Sequence, residues 1–360
     1  MRGGLYNRQV HRLYLEPFHL YEVEAFLQSK NIHFSHEEIA QCYMILGGVP
    51  AYLNQLEDGY PLDVNIDRLF FQEKGSLQDG FSYLFRTLFP EGENALWAVR
   101  EHAIKVLEVL SRKQRGLTWE EIVQVIGLPG NVSRGILGTL LGAGLVRESL
   151  LYGYSTKNRL YQLSDPFTLF YFRFVRDQEG IDEHFWSHSQ ELSSRRAWED
   201  FAFEMLCKDH IPQIKQRLGI AGVITKEPCF VLDPAGERRG DRHPDRISPV
   251  KTSFLEEYSW FTREDKELAI AKDEMGLLIE RRDHILNVCE MKYTDGELVL
   301  DEEYEAALRR KISTFAWMTQ KNGLQVTMLT PYGLKRNWYS QMVHSLVTWE
   351  DLFCPPFTLF

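Results

Sequence analysis

Met275-Gly276-Leu277-Leu278-Ile279-Glu280, Arg281-Arg282-Asp283-His284 and Ile285-Leu286-Asn287-Val288-Cys289-Glu290-Met291-Lys292 read as two apolar β runs joined by a charged turn. Residues two apart on a strand point to the same side of a sheet. Glu290 and Lys292 are therefore expected on one face, with Cys289 and Met291 on the other. A carboxylate and an ammonium emerging together at a strand end could hold a metal ion and a scissile phosphate between them.

An acid and a lysine in this spacing on a buried hairpin strand are what restriction-endonuclease-like nucleases use. The acid helps to hold a divalent cation and the lysine orients or activates water. The dipeptide spacing is also met in exposed, salt-bridged strand pairs, which are its commoner origin.

Working outward, the chain continues with Asn287-Val-Cys-Glu-Met-Lys-Tyr293, then Tyr304, Leu308, Lys311 and Phe315 at helical spacing, Val326-Thr-Met-Leu-Thr-Pro-Tyr-Gly-Leu-Lys-Arg-Asn337, and Trp349-Glu-Asp-Leu-Phe353. Upstream lie Trp198-Glu-Asp-Phe-Ala-Phe-Glu-Met-Leu-Cys207 and His210-Ile-Pro-Gln-Ile-Lys215. In order and spacing these stretches resemble the C-terminal region of a family of archaeal and bacterial AAA-type ATPases. That region is a domain of unknown function with a fold similar to the PD-(D/E)xK nucleases. The resemblance implies a site of Glu290, Lys292 and Glu204, with Mg2+ or Mn2+ as the cation it would take. One position departs from the pattern: the aspartate expected fourteen residues before the glutamate is Gly276. Glu274, on the same strand face, could replace it as a metal ligand only if the strand extends or slips. The other reading of Glu204, Glu290 and Lys292 is a fossil site held as a structural ion pair.

The resemblance extends to the beginning of the chain. Arg2-Gly-Gly-Leu-Tyr-Asn-Arg8, the following Leu15-Glu-Pro-Phe18, Leu46-Gly-Gly-Val-Pro-Ala-Tyr-Leu53 and Asn65-Ile-Asp-Arg-Leu-Phe-Phe71 resemble the last strand and helical lid of the family's ATPase module. No G-x-x-x-x-G-K-[ST] loop occurs in the sequence. The resemblance implies that the P-loop would lie before Met1. The chain is then a truncated member or a fragment that does not hydrolyse ATP by itself, with ATP entering only where a P-loop core is supplied elsewhere. Arg8 reads as a surface or lid salt bridge in place of a nucleotide contact. Gly47-Gly48 before Pro50 reads as a turn between lid helices.

Residues 95–165 read as a winged helix. Ala98 to Ser111 has apolar residues at helical spacing, and Thr118 with Glu121 forms a capping box opening a second helix. Gly130-Asn131-Val132-Ser133 opens a third helix, and two strands of a wing follow. A winged helix can place its third helix in a major groove. Arg134, Arg147, Lys157 and Arg159 are the candidate nucleic-acid contacts. The third helix carries only one arginine and few hydrogen-bonding side chains, which favours a protein-packing or hinge role over base reading.

The aromatic run Phe167 to Phe174 has one arginine and helical spacing, so it reads as a buried connecting helix more than a stacking platform. His184 and His188 would share a helix face, but no further ligand is spaced to close a zinc shell. The charged, proline- and glycine-rich segment 233–246 reads as a loop inserted relative to the family pattern.

Composition adds limits. A net charge of -10 argues against a protein that coats nucleic acid through massed lysines and arginines, without excluding a local basic face. No apolar run approaches a bilayer span and no signal peptide is evident, so the expectation is a cytoplasmic protein without membrane contact. Five scattered cysteines without a C-x-x-C pair read as reduced thiols. The expected fold is α+β and multidomain: a helical ATPase-lid remnant over 1–90, a winged helix over 91–175 and a restriction-endonuclease-like α/β domain over 190–353. Three functions remain in view: a degenerate nuclease-like module contacting protein or nucleic acid, an Mg2+-dependent DNA or RNA endonuclease, and a nucleic-acid reader acting through the winged helix.

Overall fold

The structure is a computed structural model that describes residues 15–73, 75–89, 95–150, 159–177, 182–231, 275–319 and 323–356. Arg8, Lys157, Glu274 and the segment 233–246 lie outside the described residues, as does the side chain of Phe315.

The first helices are α1 (Leu20–Ser29), α2 (His36–Leu46), α3 (Pro50–Leu53), α4 (Leu62–Phe70) and α5 (Gly80–Leu88). Helix α2 begins with a capping box. The Ser35 hydroxyl accepts the Glu38 N–H at 3.2 Å, and the Glu38 carboxylate accepts the Ser35 N–H at 2.9 Å. It ends at Gly47, whose φ of 66° lies in the left-handed region that glycine adopts without strain. The next residue, Gly48, runs against the chain at Phe18, where the Phe18 N–H donates to the Gly48 carbonyl at 2.8 Å. A Cβ at position 48 would lie 2.0 Å from the Phe18 carbonyl oxygen, so only glycine fits.

The next unit is built from α6 (Ala95–Arg112), β1 (Leu117–Thr118), α7 (Trp119–Ile126), α8 (Gly130–Gly142), β2 (Val146–Leu150) and β3 (Arg159–Leu163). Its antiparallel sheet has the order β1-β3-β2, with Leu117 opposite Tyr161 and Val146 opposite Leu163. Three helices packed on a small sheet of this order form a winged helix. The Thr118–Glu121 capping box is present as the sequence predicts.

The aromatic run becomes α9 (Pro166–Phe170), capped by Asp165, and continues as a π-helical turn, Tyr171–Val175. Phe170 sits at the junction of the molecule. The rings of Phe70, Phe174, Trp186 and Trp198 have centroids 5.0–5.7 Å from its own. Those residues come from the first helices, the connecting helix and the C-terminal region, so one continuous core spans all three.

The C-terminal region opens with α10 (Phe185–His188), α11 (Ser193–Asp209) and α12 (Ile211–Arg217). It continues with β4 (Thr225–Lys226), β5 (Cys229–Val231), β6 (Met275–Arg281), β7 (Ile285–Met291), α13 (Glu302–Thr319), β8 (Gly323–Leu329), β9 (Ser345–Val347) and α14 (Trp349–Leu352). The sheet runs β4-β6-β7-β8-β9, and β5 also pairs with β6. Strands β6 and β7 form the antiparallel hairpin read from the sequence, with Leu277 opposite Cys289. Strand β8 is parallel to β7, with Glu290 beside Met328, and β9 is parallel to β8.

Side-chain alternation gives the sheet two different faces. Leu277, Ile279, Cys289 and Leu329 point into the core that contains α11, whereas Val326 and Met328 pack with Leu308 of α13. The whole is a mixed α+β structure containing a winged helix. Among the described residues, no helix is long and apolar enough to cross a membrane.

Candidate functional site

The hairpin forms as expected, but Glu290 and Lys292 do not act together. Glu290 lies on the α13 face of the sheet, where its carboxylate accepts from Lys311 Nζ at 2.9 and 3.1 Å and from the Tyr304 hydroxyl at 3.2 Å. Lys292 follows the last residue of β7, and its ammonium donates to both oxygens of Asp200 on α11 at 2.9 Å. The two side chains expected on one face are drawn to helices on opposite faces. The physical reason is the position of Lys292: once past the strand, its long stem is free of the alternation and follows the nearest carboxylate.

Glu204 is on the other side of the sheet from Glu290. It is buried on α11 and accepts from Gln114 and Lys208. Gly276 continues the hairpin register to the position opposite Glu290, where it offers no side chain. These residues do not fit an Mg2+ or Mn2+ ion. The two carboxylates meant to share it are separated by the sheet, and each is already neutralised by a lysine. Among the described residues, no group of three His, Cys, Asp or Glu side chains could hold a metal. His188 is paired with Asp182, its ring 5.9 Å from that of His184.

The carboxyl ends of parallel strands are where open α/β sheets receive ligands. Here that end is covered by α2. Tyr293, just after β7, lies near Gln41, and Tyr332, just after β8, lies near Glu37. His36 accompanies them, with Nδ1 2.9 Å from the Glu350 carboxylate and its ring stacked at 4.0 Å on Phe353. On α11, next in sequence to Asp200, Glu199 is held above the ordinary carboxylate range by burial, against the pull of Arg195 and with the charges of Asp295 and Asp200 adding.

The winged helix presents a different surface. Helix α8 packs on α6, α7 and β2 through Ser133, Ile136, Leu137 and Leu140. Its outer stripe of Asn131, Arg134, Gly135, Gly138 and Gly142 is exposed. The Arg134 guanidinium lies 5.5 Å over the Trp119 ring, which steadies it at the start of that stripe. A Cβ added at Gly135, Gly138 or Gly142 would meet nothing within 4 Å, so this face is smooth and open. Of the other sequence candidates, Arg147 is bound to Asp209 of α11 at 2.6 Å and Arg159 to Glu148. The unit is thus anchored to the C-terminal region through β2 and through Gln114, while among the described residues nothing outside the winged helix pairs with the outer stripe of α8.

The sequence names Lys311 on the helix after the hairpin and Asn131 at the start of the third helix without giving either a role, and it gives none to Asp200. Lys311 was legible: it follows Tyr304 and Leu308 at spacings of four and three, which put it on the inner stripe of α13 facing Glu290. Asp200 carried no such signal, because its pairing joins segments distant in sequence.

The class that this geometry defines is a winged-helix protein with an attached mixed-sheet domain. Residues 101–149, from within α6 to β2, match the IclR helix-turn-helix domain family. No curated protein and no solved structure matches the chain.

Proposed function

We propose that the chain binds duplex nucleic acid through α8, and that the nuclease-like sheet domain holds this module in place without cleaving a substrate. The observation that carries the reading is the free outer stripe of α8 within a winged helix that matches a helix-turn-helix family. The N-terminal half of such a helix contacts base edges. Asn131 and Arg134 are the residue types that pair bidentately with adenine and guanine. The glycines beyond them remove side chains that would hold the helix away from the groove. With a net charge of -10 and most nearby arginines paired, the phosphate contribution is small and the affinity modest.

Two resemblances add partners to this reading. The first five helices resemble an ATPase lid, which supports docking on an ATPase core that supplies the P-loop and binds ATP. The hairpin followed by a parallel crossover supports a nuclease-like origin for the sheet, while the split Glu290 and Lys292 support loss of hydrolysis. Mn2+-dependent cutting that disappears in Lys292→Ala would overturn that second part. Duplex binding tests the first: it should weaken with salt and fall about ten-fold in Arg134→Ala, the loss of one good base contact.

A further inference from the structure

Trp338 is 76% exposed, yet the loop that carries it is tightly framed. Lys335 N–H donates to Leu298 O at 2.9 Å, and the Asn337 side-chain amide donates to Leu300 O at 2.7 Å. Asn337 and Ser340 then bond reciprocally, each backbone N–H donating to the other's side-chain oxygen at 2.9 and 2.8 Å. Tyr339 and Met342, next along the chain, pack against the core under α13. The frame therefore half-buries the neighbours of Trp338 and holds the indole outside, forgoing the burial that a ring of this size normally gains.

The ring is accompanied by charge. Lys335 and Arg336 are exposed, and no carboxylate pairs with either among the described residues. A flat, open aromatic face next to two uncompensated cations is complementary to a base and its phosphates.

We infer that Trp338, Lys335 and Arg336 form a contact for single-stranded nucleic acid, in which an unpaired base stacks on the indole and the cations meet the adjoining phosphates. A duplex does not satisfy this surface, since its bases already have both faces stacked. The contact is separate from α8 and does not depend on it.

The test is fluorescence anisotropy of a short fluorescein-labelled oligo(dT) with the full chain. Trp338→Ala should weaken binding about ten- to hundred-fold, the range for losing one aromatic stacking partner. Trp338→Phe should keep most of the affinity. The double variant Lys335→Ala/Arg336→Ala should flatten the salt dependence. Arg134→Ala should leave oligo(dT) binding unchanged, which separates this contact from the duplex reading. No binding by the wild-type chain at low salt, wild-type affinity in Trp338→Ala, or equal competition by poly-glutamate would each overturn the inference. The substituted side chains are exposed, so the variants retain the fold and every result is readable.

Discussion

At the scale of single residues, the two ion pairs that take the place of the expected site differ in what they contribute. Lys311 and Glu290 leave only 10% and 16% of their side chains exposed, whereas Lys292 and Asp200 leave 34% and 24%. Lys311→Ala strands a carboxylate in the sheet–helix interface and should cost about 3 kcal/mol. Lys292→Ala should cost less than about 1 kcal/mol, because water screens the remaining charge. Urea denaturation of both variants checks the contrast, and equal losses would contradict it. His210 gives a pH dependence. It is fully buried, its Nε2 accepts the Leu20 N–H at 2.9 Å, and its Nδ1 donates to Leu206 O at 2.8 Å. Burial pushes the imidazole from its ordinary 6.5 down to about 4, with the Leu206 carbonyl and Asp209 pulling weakly the other way and His19 adding to the depression. Between those values the unfolded chain binds a proton that the folded one refuses, so stability is complete above about pH 6.5 and falls as the pH drops toward 4. The loss from about pH 7 to about pH 5 should be about 2 kcal/mol, and this part of the slope should vanish in His210→Gln.

At the scale of elements, Gly48 fixes how the chain enters α1 and leaves α2. Gly48→Ala forces the backbone away from Phe18 and should cost about 1–3 kcal/mol by thermal denaturation, as overpacking does. Such elements were largely legible beforehand because their signals are local. The Thr118–Glu121 capping box, the apolar runs on both sides of Arg281–His284 and the glycines before Pro50 each announce an element within a few residues. What the sequence could not supply was the partner of each charged side chain. Strand alternation placed Glu290 correctly, but Lys292 had already left the strand, and its carboxylate came from α11, ninety-two residues away. Glu204 was assigned to the site by resemblance, and only the topology of the sheet shows it on the far face. The third helix looked poor in contacts because glycines count for nothing in a motif, although on a free helix face they leave room for a groove.

At the scale of the whole molecule, one core joins the first helices, the winged helix and the mixed sheet, with Phe170 at the crossing point. Helix α2 covers the end of the sheet where a ligand would enter, and the Arg147–Asp209 and Gln114–Glu204 contacts fasten the winged helix to α11. Among the described residues, the outer stripe of α8 and the indole of Trp338 stay exposed. The most direct measurement is anisotropy of a labelled DNA duplex, enriched from a random pool for binding to the full chain, titrated with that chain over a range of salt, for the wild type and Arg134→Ala. Binding that weakens with salt and falls about ten-fold in the variant is the predicted result. Absence of duplex binding at low salt, or identical affinity in Arg134→Ala, would contradict a nucleic-acid role for α8.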